Sequence, residues 1–445
     1  MTTLTASRTR MALFALALGG FGIGTTEFVA MGLLPDIARD LLPSLWATDQ
    51  DGALAKAGII ISAYAAGVVV GAPTIAAIAA RFPRKALLAW LTVAFTVGTI
   101  ASAVAPTFET VVLFRFLAGL PHGAYFGVAA LAAARLMGSE KRGQAVAFVL
   151  SGLTIANVIG VPSITYLGQH TSWRVAYLAV AGIFALCTVA ILAFVPHQDG
   201  DPHATVRREL GAFTRPSVWF ALLTGALGFG GFFAVYTYVS PMVTELADSP
   251  ERYVPFALIT LGVGTTIGNI IGGKLADRGA LKAILWLFGA LTVALLAVIT
   301  LSPTLPGLLL GLFLVGLAGS AISPAIQTRL MDVAGDAQTM AAAVNHAALN
   351  MGNSLGAFLG GVVIAAGWGY LAPTWVGIAL IVPGVGFALA GWAVTRNRAG
   401  ADPAGGVAPG DSSSGDGFPG PDGDGDGDGD GDGEIFAAAS APVGS

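Results

Sequence analysis

Between Met11 and Val394 the chain is a succession of long apolar windows, each ended by charges, proline or clustered glycine. A helix that crosses a hydrocarbon core of about 30 Å needs about 20 apolar residues, and window after window meets that length. Composition agrees: 55% of the 445 residues are apolar or aromatic and only 11% are charged, against roughly a quarter charged in an ordinary soluble domain. Too few charges remain to clothe a water-soluble globule, so that class is excluded.

The windows predict twelve transmembrane helices, near 11–34, 53–80, 86–105, 108–136, 143–168 and 174–195, then near 217–240, 254–276, 281–301, 307–330, 338–366 and 372–394. The fold class is therefore all-α integral membrane. The longest polar interruption, 197–216, divides the helices six and six and reads as a linker. The domain map is a short N-terminus (1–10), a first six-helix bundle (11–196), the linker, a second bundle (217–395) and an acidic Gly/Asp-rich tail (396–445). That tail has almost no apolar surface to bury, which predicts disorder.

The formal charge of −4 misleads. Ten of the 26 acidic residues lie between Asp402 and Glu434, leaving 16 against 22 basic residues and a body that is basic by six. Those basic charges are too scattered for a nucleic-acid footprint. Placing Arg8 and Arg10 in the cytoplasm puts 17 of the 22 Lys and Arg on that side. The positive-inside rule then makes both termini cytoplasmic in a multi-pass cell-membrane protein. The first apolar run is over 20 residues long and lacks a small-residue cleavage site, so it is read as an uncleaved helix. Cys187 is the lone cysteine, which excludes a disulfide framework within the chain.

The two halves repeat. A shift of 197 residues lays Gly67, Gly71, Arg81 and Lys85 on Gly264, Gly268, Arg278 and Lys282, and Phe116-Leu117-x-Gly119-Leu120 on Phe313-Leu314-x-Gly316-Leu317. A shift of 196 lays Asn157 and Gly160 on Asn353 and Gly356. Two parallel six-helix repeats are a recurrent design for alternating-access transporters, with a substrate site between the halves.

Over residues 11–395 the chain resembles the major facilitator superfamily. The resemblance rests on Gly273-Lys-Leu-Ala-Asp277-Arg278-Gly279 after the eighth helix, Arg115-x-x-x-Gly119-x-x-x-Gly123 in the fourth and Trp173-Arg174 opening the sixth. Gly152, Gly160, Val161-Pro162 and Gly168 in the fifth are similar to the glycine-proline motif of proton-driven antiporters, with Val-Pro in place of the usual Gly-Pro. Gly20-Phe-Gly-Ile-Gly-Thr-Thr-Glu27-Phe and Met31-Gly-Leu-Leu-Pro35 look like the drug:proton antiporter branch of arabinose-efflux-like permeases and chloramphenicol exporters. The resemblance implies a twelve-helix fold of two pseudo-repeats, and a cytoplasmic gate at Gly71, Arg81, Arg84, Lys85, Gly273, Asp277 and Arg278. It also implies proton-driven efflux of a small molecule by a monomer, with no cofactor and no metal.

Glu27 and Arg115, histidine apart, are the ionisable residues well inside the predicted spans, where an unpaired charge costs several kcal/mol. Each lies seven residues from the outer end of its predicted helix, or about 10 Å deep, so they can meet. Two readings stand: a static ion pair, or a carboxylate whose protonation biases two access states. Their repeat equivalents are Phe233 and Leu312, which confines this charge chemistry to the first half. His122 follows Arg115 by two turns on nearly the same face, as a proton relay or as a helix-joining hydrogen bonder. His346, Asn350 and Asn353 form a polar stripe that contacts substrate or glues helices. Asn157 and Tyr236 are further cavity candidates, with Tyr64, Tyr238, Asn269 and Gln327.

The solute expected is amphiphilic and drug-like. A sugar or metabolite is the alternative within the same fold. A uniporter would show no dependence on the proton gradient. A polytopic membrane enzyme needs clustered carboxylates or histidines near the interface, and the short loops carry none; there is also no Gly-x-x-x-x-Gly-Lys-[Ser/Thr] phosphate cradle.

Overall fold

The computed structural model describes residues 6–79, 81–138, 142–200, 214–334 and 338–400. Twelve of its helices are long and apolar enough to span a bilayer: α1 (Ser7–Gly32), α2 (Gln50–Ile75), α3 (Arg84–Val104), α4 (Phe108–Met137), α5 (Gln144–His170), α6 (Trp173–Phe194), α7 (Pro216–Tyr236), α8 (Glu251–Ala276), α9 (Ala280–Leu301), α10 (Leu305–Val333), α11 (Asn345–Ala365) and α12 (Ala372–Arg396). An even number of crossings puts the start of α1 and the end of α12 on one face, the terminal face; the other is the far face. Residues 201–213 of the linker, the tail beyond 400, and Lys141, Arg207 and Arg208 lie outside the described residues.

Burial sorts the helices into an inner and an outer set. The apolar windows of α1 and α7 are each 78% buried by the rest of the molecule, those of α3, α6 and α9 only 39%, and that of α12 28%. The repeat-equivalent pairs α1/α7 and α3/α9 are buried alike, whereas α5 (39%) is less covered than its equivalent α11 (56%). The outer helices show large apolar side chains outward, among them Trp90 and Trp286. Lipid tails satisfy such a surface, and water does not.

The 197-residue repeat is also a repeat of contacts. A Cβ added at Gly67 would stand 2.1 Å from the carbonyl oxygen of Phe116, and one at Gly264 2.3 Å from that of Phe313. Gly71 meets the carbonyl of Leu120 as Gly268 meets that of Leu317, and Gly119 meets that of Tyr64 as Gly316 meets that of Leu261. Each partner is itself displaced by 197. Without a side chain between them, α2 and α4, and likewise α8 and α10, bring their backbones together. Such contact carries the dispersion energy that replaces the hydrophobic effect within a membrane.

Sequence periodicity does not foresee the chain between α1 and α2. The chain bends at Leu33 and resumes as a short helix, Leu34–Leu41, with Pro35 in its first turn, where a missing N–H costs nothing. A second short helix, Pro43–Thr48, follows, and then Asp49 caps α2 by accepting from the Gly52 N–H at 2.8 Å. The expected span 11–34 thus ends two residues early. In α5 the helix widens to a π-turn over Ala156–Gly160, immediately before Val161-Pro162. Proline lacks the N–H that an α-helix would direct to residue 158, so a local widening there is a natural accommodation.

Contacts between helices 1–6 and 7–12 gather towards the far face. Ser62 on α2 donates to the carbonyl of Ser354 on α11 at 3.1 Å. The Gln169 amide donates to the Glu251 carbonyl at 3.4 Å, and Tyr370 donates to Asp51. Helix α8 packs on the far half of α5, residues 156–170, and scarcely on 142–155. A backbone approach of Gly262 to the Asn157 carbonyl marks the middle of that contact. The bundle is closed at its far face.

Candidate functional site

Glu27 sits on α1 five residues before its end and is 4% exposed. One carboxylate oxygen accepts from the Asn353 amide at 3.3 Å, and the other lies 3.9 Å from Nδ1 of His122. The same Nδ1 is 3.2 Å from the Tyr64 hydroxyl. The carboxylate of α1 thus meets α4 through His122 and α11 through Asn353, with Tyr64 of α2 held against the same imidazole. The charged groups, Glu27 and Arg115, both belong to the first half, and the second half contributes a neutral donor, the Asn353 amide. Phe233, the repeat equivalent of Glu27, faces it through Phe28, 6.2 Å between ring centroids.

Arg115 is fully buried, yet it makes no ion pair with Glu27 within 4 Å. Its guanidinium donates to the Thr26 hydroxyl at 3.2 Å and to the Thr26 carbonyl at 3.1 Å. It also lies over the Tyr64 ring at 4.2 Å and the Tyr177 ring at 5.4 Å. The fork geometry explains the departure from a direct pair. Two parallel N–H bonds to the residue before Glu27, with aromatic faces on either side, hold the cation in place. They leave the carboxylate turned to the cavity and influenced by the cation at one remove.

That cavity leaves about 100 Å³ accessible to a water-sized sphere in this conformation, less than the roughly 300–1,000 Å³ of most small-molecule sites, so a drug-sized solute requires it to widen. One wall is aromatic. Phe28 of α1 stacks on Tyr236 at 5.2 Å, and Phe229, Phe232 and Phe233 continue the surface along α7. Leu153 and Leu349 add aliphatic surface, and the polar lining comes from Thr154 and Asn157 of α5, Thr265 and Asn269 of α8, Ser320 and Ser323 of α10, His346 and Asn350 of α11, and His122. The side-chain oxygens of Asn157 and Asn350 and the Tyr236 hydroxyl are buried without a hydrogen-bond partner. Buried polar atoms ordinarily find partners, so these are groups that a solute or water entering the cavity would satisfy.

Glu27, His122, Asn157, Tyr236, His346 and Asn350 therefore line one cavity, with Asn353 directly behind Glu27 and Arg115 behind Thr26. Tyr238 and Gln327 lie off the cavity; the Tyr238 hydroxyl donates instead to the Ala357 carbonyl and Gln327 accepts from Asn345. Sequence reasoning named Tyr236 but missed the phenylalanines of the aromatic wall. Its signal was present in Phe229, Phe232, Phe233 and Tyr236, which repeat at helical spacing, but the same spacing marks any packed helix face.

The loop residues are arranged differently. Gly71 is a packing glycine between α2 and α4. Arg81 and Arg84 lie at the start of α3, where the Arg84 N–H donates to the Gln198 carbonyl at 2.9 Å, and Lys85 is on the same turn. Gly273 has open space around it, and Asp277 and Arg278 are exposed on the turn into α9. Asp277 has no ion-pair partner among the described residues, so in this conformation no salt bridge from it joins the two loops.

Comparison with known proteins gives this arrangement its context. The family model described as the Major Facilitator Superfamily matches residues 16–334 and 251–414. The chain is 42% identical over 361 residues to the "Inner membrane transport protein YdhP" of Escherichia coli K12, covering 80% of this chain and 90% of that one. It is 33% identical over 379 residues to the "Chloramphenicol resistance protein" of Streptomyces lividans, covering 83% and 94%. The solved D-xylose-proton symporter shares the fold, with a TM-score of 0.65 at 16% identity over 86% of this chain and 97% of that one. With the family model, the relatives and the twelve-helix fold in agreement, the chain belongs to the Major Facilitator Superfamily, as a multi-pass transporter of the cell membrane and not an enzyme.

Proposed function

We propose that the protein exports a small amphiphilic, drug-like molecule in exchange for protons, with its terminal face in the cytoplasm and as a monomer. The observation that carries this reading is a buried carboxylate, Glu27, in the wall of a cavity that is aromatic on one side and polar on the other. A carboxyl at that position can hold a proton or free its charge, and each form favours different contacts with His122, Asn353 and a bound solute. The second half contributes Asn353 and most of the aromatic wall, so a change at Glu27 is felt across the interface that must move during alternating access. The relative named for chloramphenicol resistance supports an amphiphilic solute.

The polar wall favours a second reading, a sugar or other hydroxylated metabolite. Asn157, Asn269 and Asn350, with Ser320 and Ser323, offer the paired donors and acceptors that hydroxyl groups need, opposite an aromatic face. A growth-inhibition panel in an efflux-deficient bacterium separates the two, using chloramphenicol, other amphiphilic antibiotics and toxic sugar analogues. The expected outcome is resistance to an amphiphile that disappears in Glu27→Gln at matched membrane levels. Protection against the sugar analogues alone would establish the second reading.

A further inference from the structure

His346 is the second half's contribution to the histidine chemistry of the cavity. It lies on α11 seven residues before Asn353, the residue that touches Glu27, which places it about 10 Å closer to the terminal face. His122 is likewise seven residues further towards that face than Arg115 along α4. The two imidazoles face each other across the interface between the halves, with ring centroids 5.8 Å apart and planes tilted by 59°. His346 is held by the Phe126 ring, stacked at 4.9 Å and 2°.

Glu27 and His122 are 4% and 2% exposed, whereas His346 is only partly buried and lines the cavity. The titratable and charged groups around the pair are Glu27 of α1, Tyr64 of α2, Tyr236 of α7 and, through the Tyr64 ring, Arg115 of α4. Among the described residues, no Asp, Glu, Lys or Arg is ion-paired with His346. A buried carboxyl that exchanges protons with one face needs a path to water there, and these two imidazoles stand on the line between Glu27 and that face.

We propose that His122 and His346 form a proton path between Glu27 and the terminal face, with His346 as the water-facing outlet contributed by the opposite half. The inference rests on the proton-coupled reading of Glu27. In the release step a small side-chain rotation closes the 3.9 Å between Glu27 and Nδ1 of His122 to hydrogen-bond distance, the Glu27 O–H bond breaks and its proton passes to that nitrogen, leaving the carboxylate. The proton on Nε2, on the opposite side of the ring, leaves to His346 directly or through one water. The His346 ring delivers a proton to the cavity water from its other nitrogen, and each imidazole ends neutral. Because the two rings belong to different halves, the path is complete only when α4 and α11 are close.

The test follows proton exchange at the carboxyl and needs no solute. Infrared spectra of the full-length protein in lipid are recorded between about pH 5 and pH 8, and the Glu27 carboxylic C=O band is the one absent in Glu27→Gln. Its shift on transfer to heavy water gives the hydrogen-exchange rate of that carboxyl. The expected result is slowing by about a hundredfold in His346→Asn, an equal loss in His346→Ala, and recovery of the alanine variant by added imidazole. Matched melting temperatures show that the variants are folded. Unchanged exchange in both His346 variants, or slowing that imidazole does not relieve, would overturn the path. A Glu27 that shows no protonated band across that range would overturn the coupling reading itself, and the path with it.

Discussion

Asp36 shows how one side chain can tie the closure of the far face to pH. It stands in the first turn after the bend that ends α1, 22% exposed, with Arg39 3.7 Å from one oxygen and the other oxygen unpartnered. Burial and then the negative charge of Glu251 on α8 push its carboxyl up to about 6, against the pull of Arg39. The closed far face therefore favours the protonated acid. The stabilisation of closure is complete below the ordinary value of 3.8 and is lost as pH rises through about 6. Spin labels on cysteines at Thr171 and Pro250 should report a closed population that falls over this interval, with the dependence flattened in Asp36→Asn. A dependence that survives in that variant would assign it to another group. Residues of this kind were hard to read from sequence. Glu27 and Arg115 stood out because charges inside apolar windows are rare, and Tyr64 and Asn353 stood out as polar residues, but their pairing did not: Thr26, Tyr64 and Asn353 come from three helices, and no spacing rule predicts which polar atoms converge.

At the scale of helices, glycine decides how closely the backbone can be packed. The Cβ of an alanine at Gly119 would lie 2.2 Å from the Tyr64 carbonyl, and at Gly316 2.4 Å from that of Leu261, whereas one at Gly127 meets nothing within 4 Å. Gly119→Ala and Gly316→Ala should each destabilise the protein by about 1–3 kcal/mol through overpacking, and Gly127→Ala should leave the melting temperature in detergent nearly unchanged. Equal melting temperatures for all three would refute the account of these contacts. This level was the most legible in the sequence, because the glycines that recur after 197 residues are the ones that touch carbonyls recurring after the same interval. The twelve apolar windows were legible for the same reason: bilayer thickness sets a minimum length that each must meet. The short helices at 34–48 and the π-turn in α5 were not, since each answers to a local proline and to packing, not to periodicity.

The whole molecule must open at the far face to complete a transport cycle, and Ser62 and Ser354 are among the contacts that must part. The natural cysteine, Cys187, is buried and will not compete with introduced thiols. Oxidative cross-linking of Ser62→Cys with Ser354→Cys should abolish transport and reduction should restore it; transport that persists in a fully cross-linked sample would show that these helices need not separate. The central claim is that solute export runs on proton exchange at Glu27. Its most direct measurement is proton movement in everted membrane vesicles, energised to an acid interior and challenged with each compound against which the protein protects cells. Release of protons on addition of that compound in the wild type, absent in Glu27→Gln at equal protein level, is the predicted result. Transport of the same compound that ignores the proton gradient, or proton release that survives in Glu27→Gln, would contradict it.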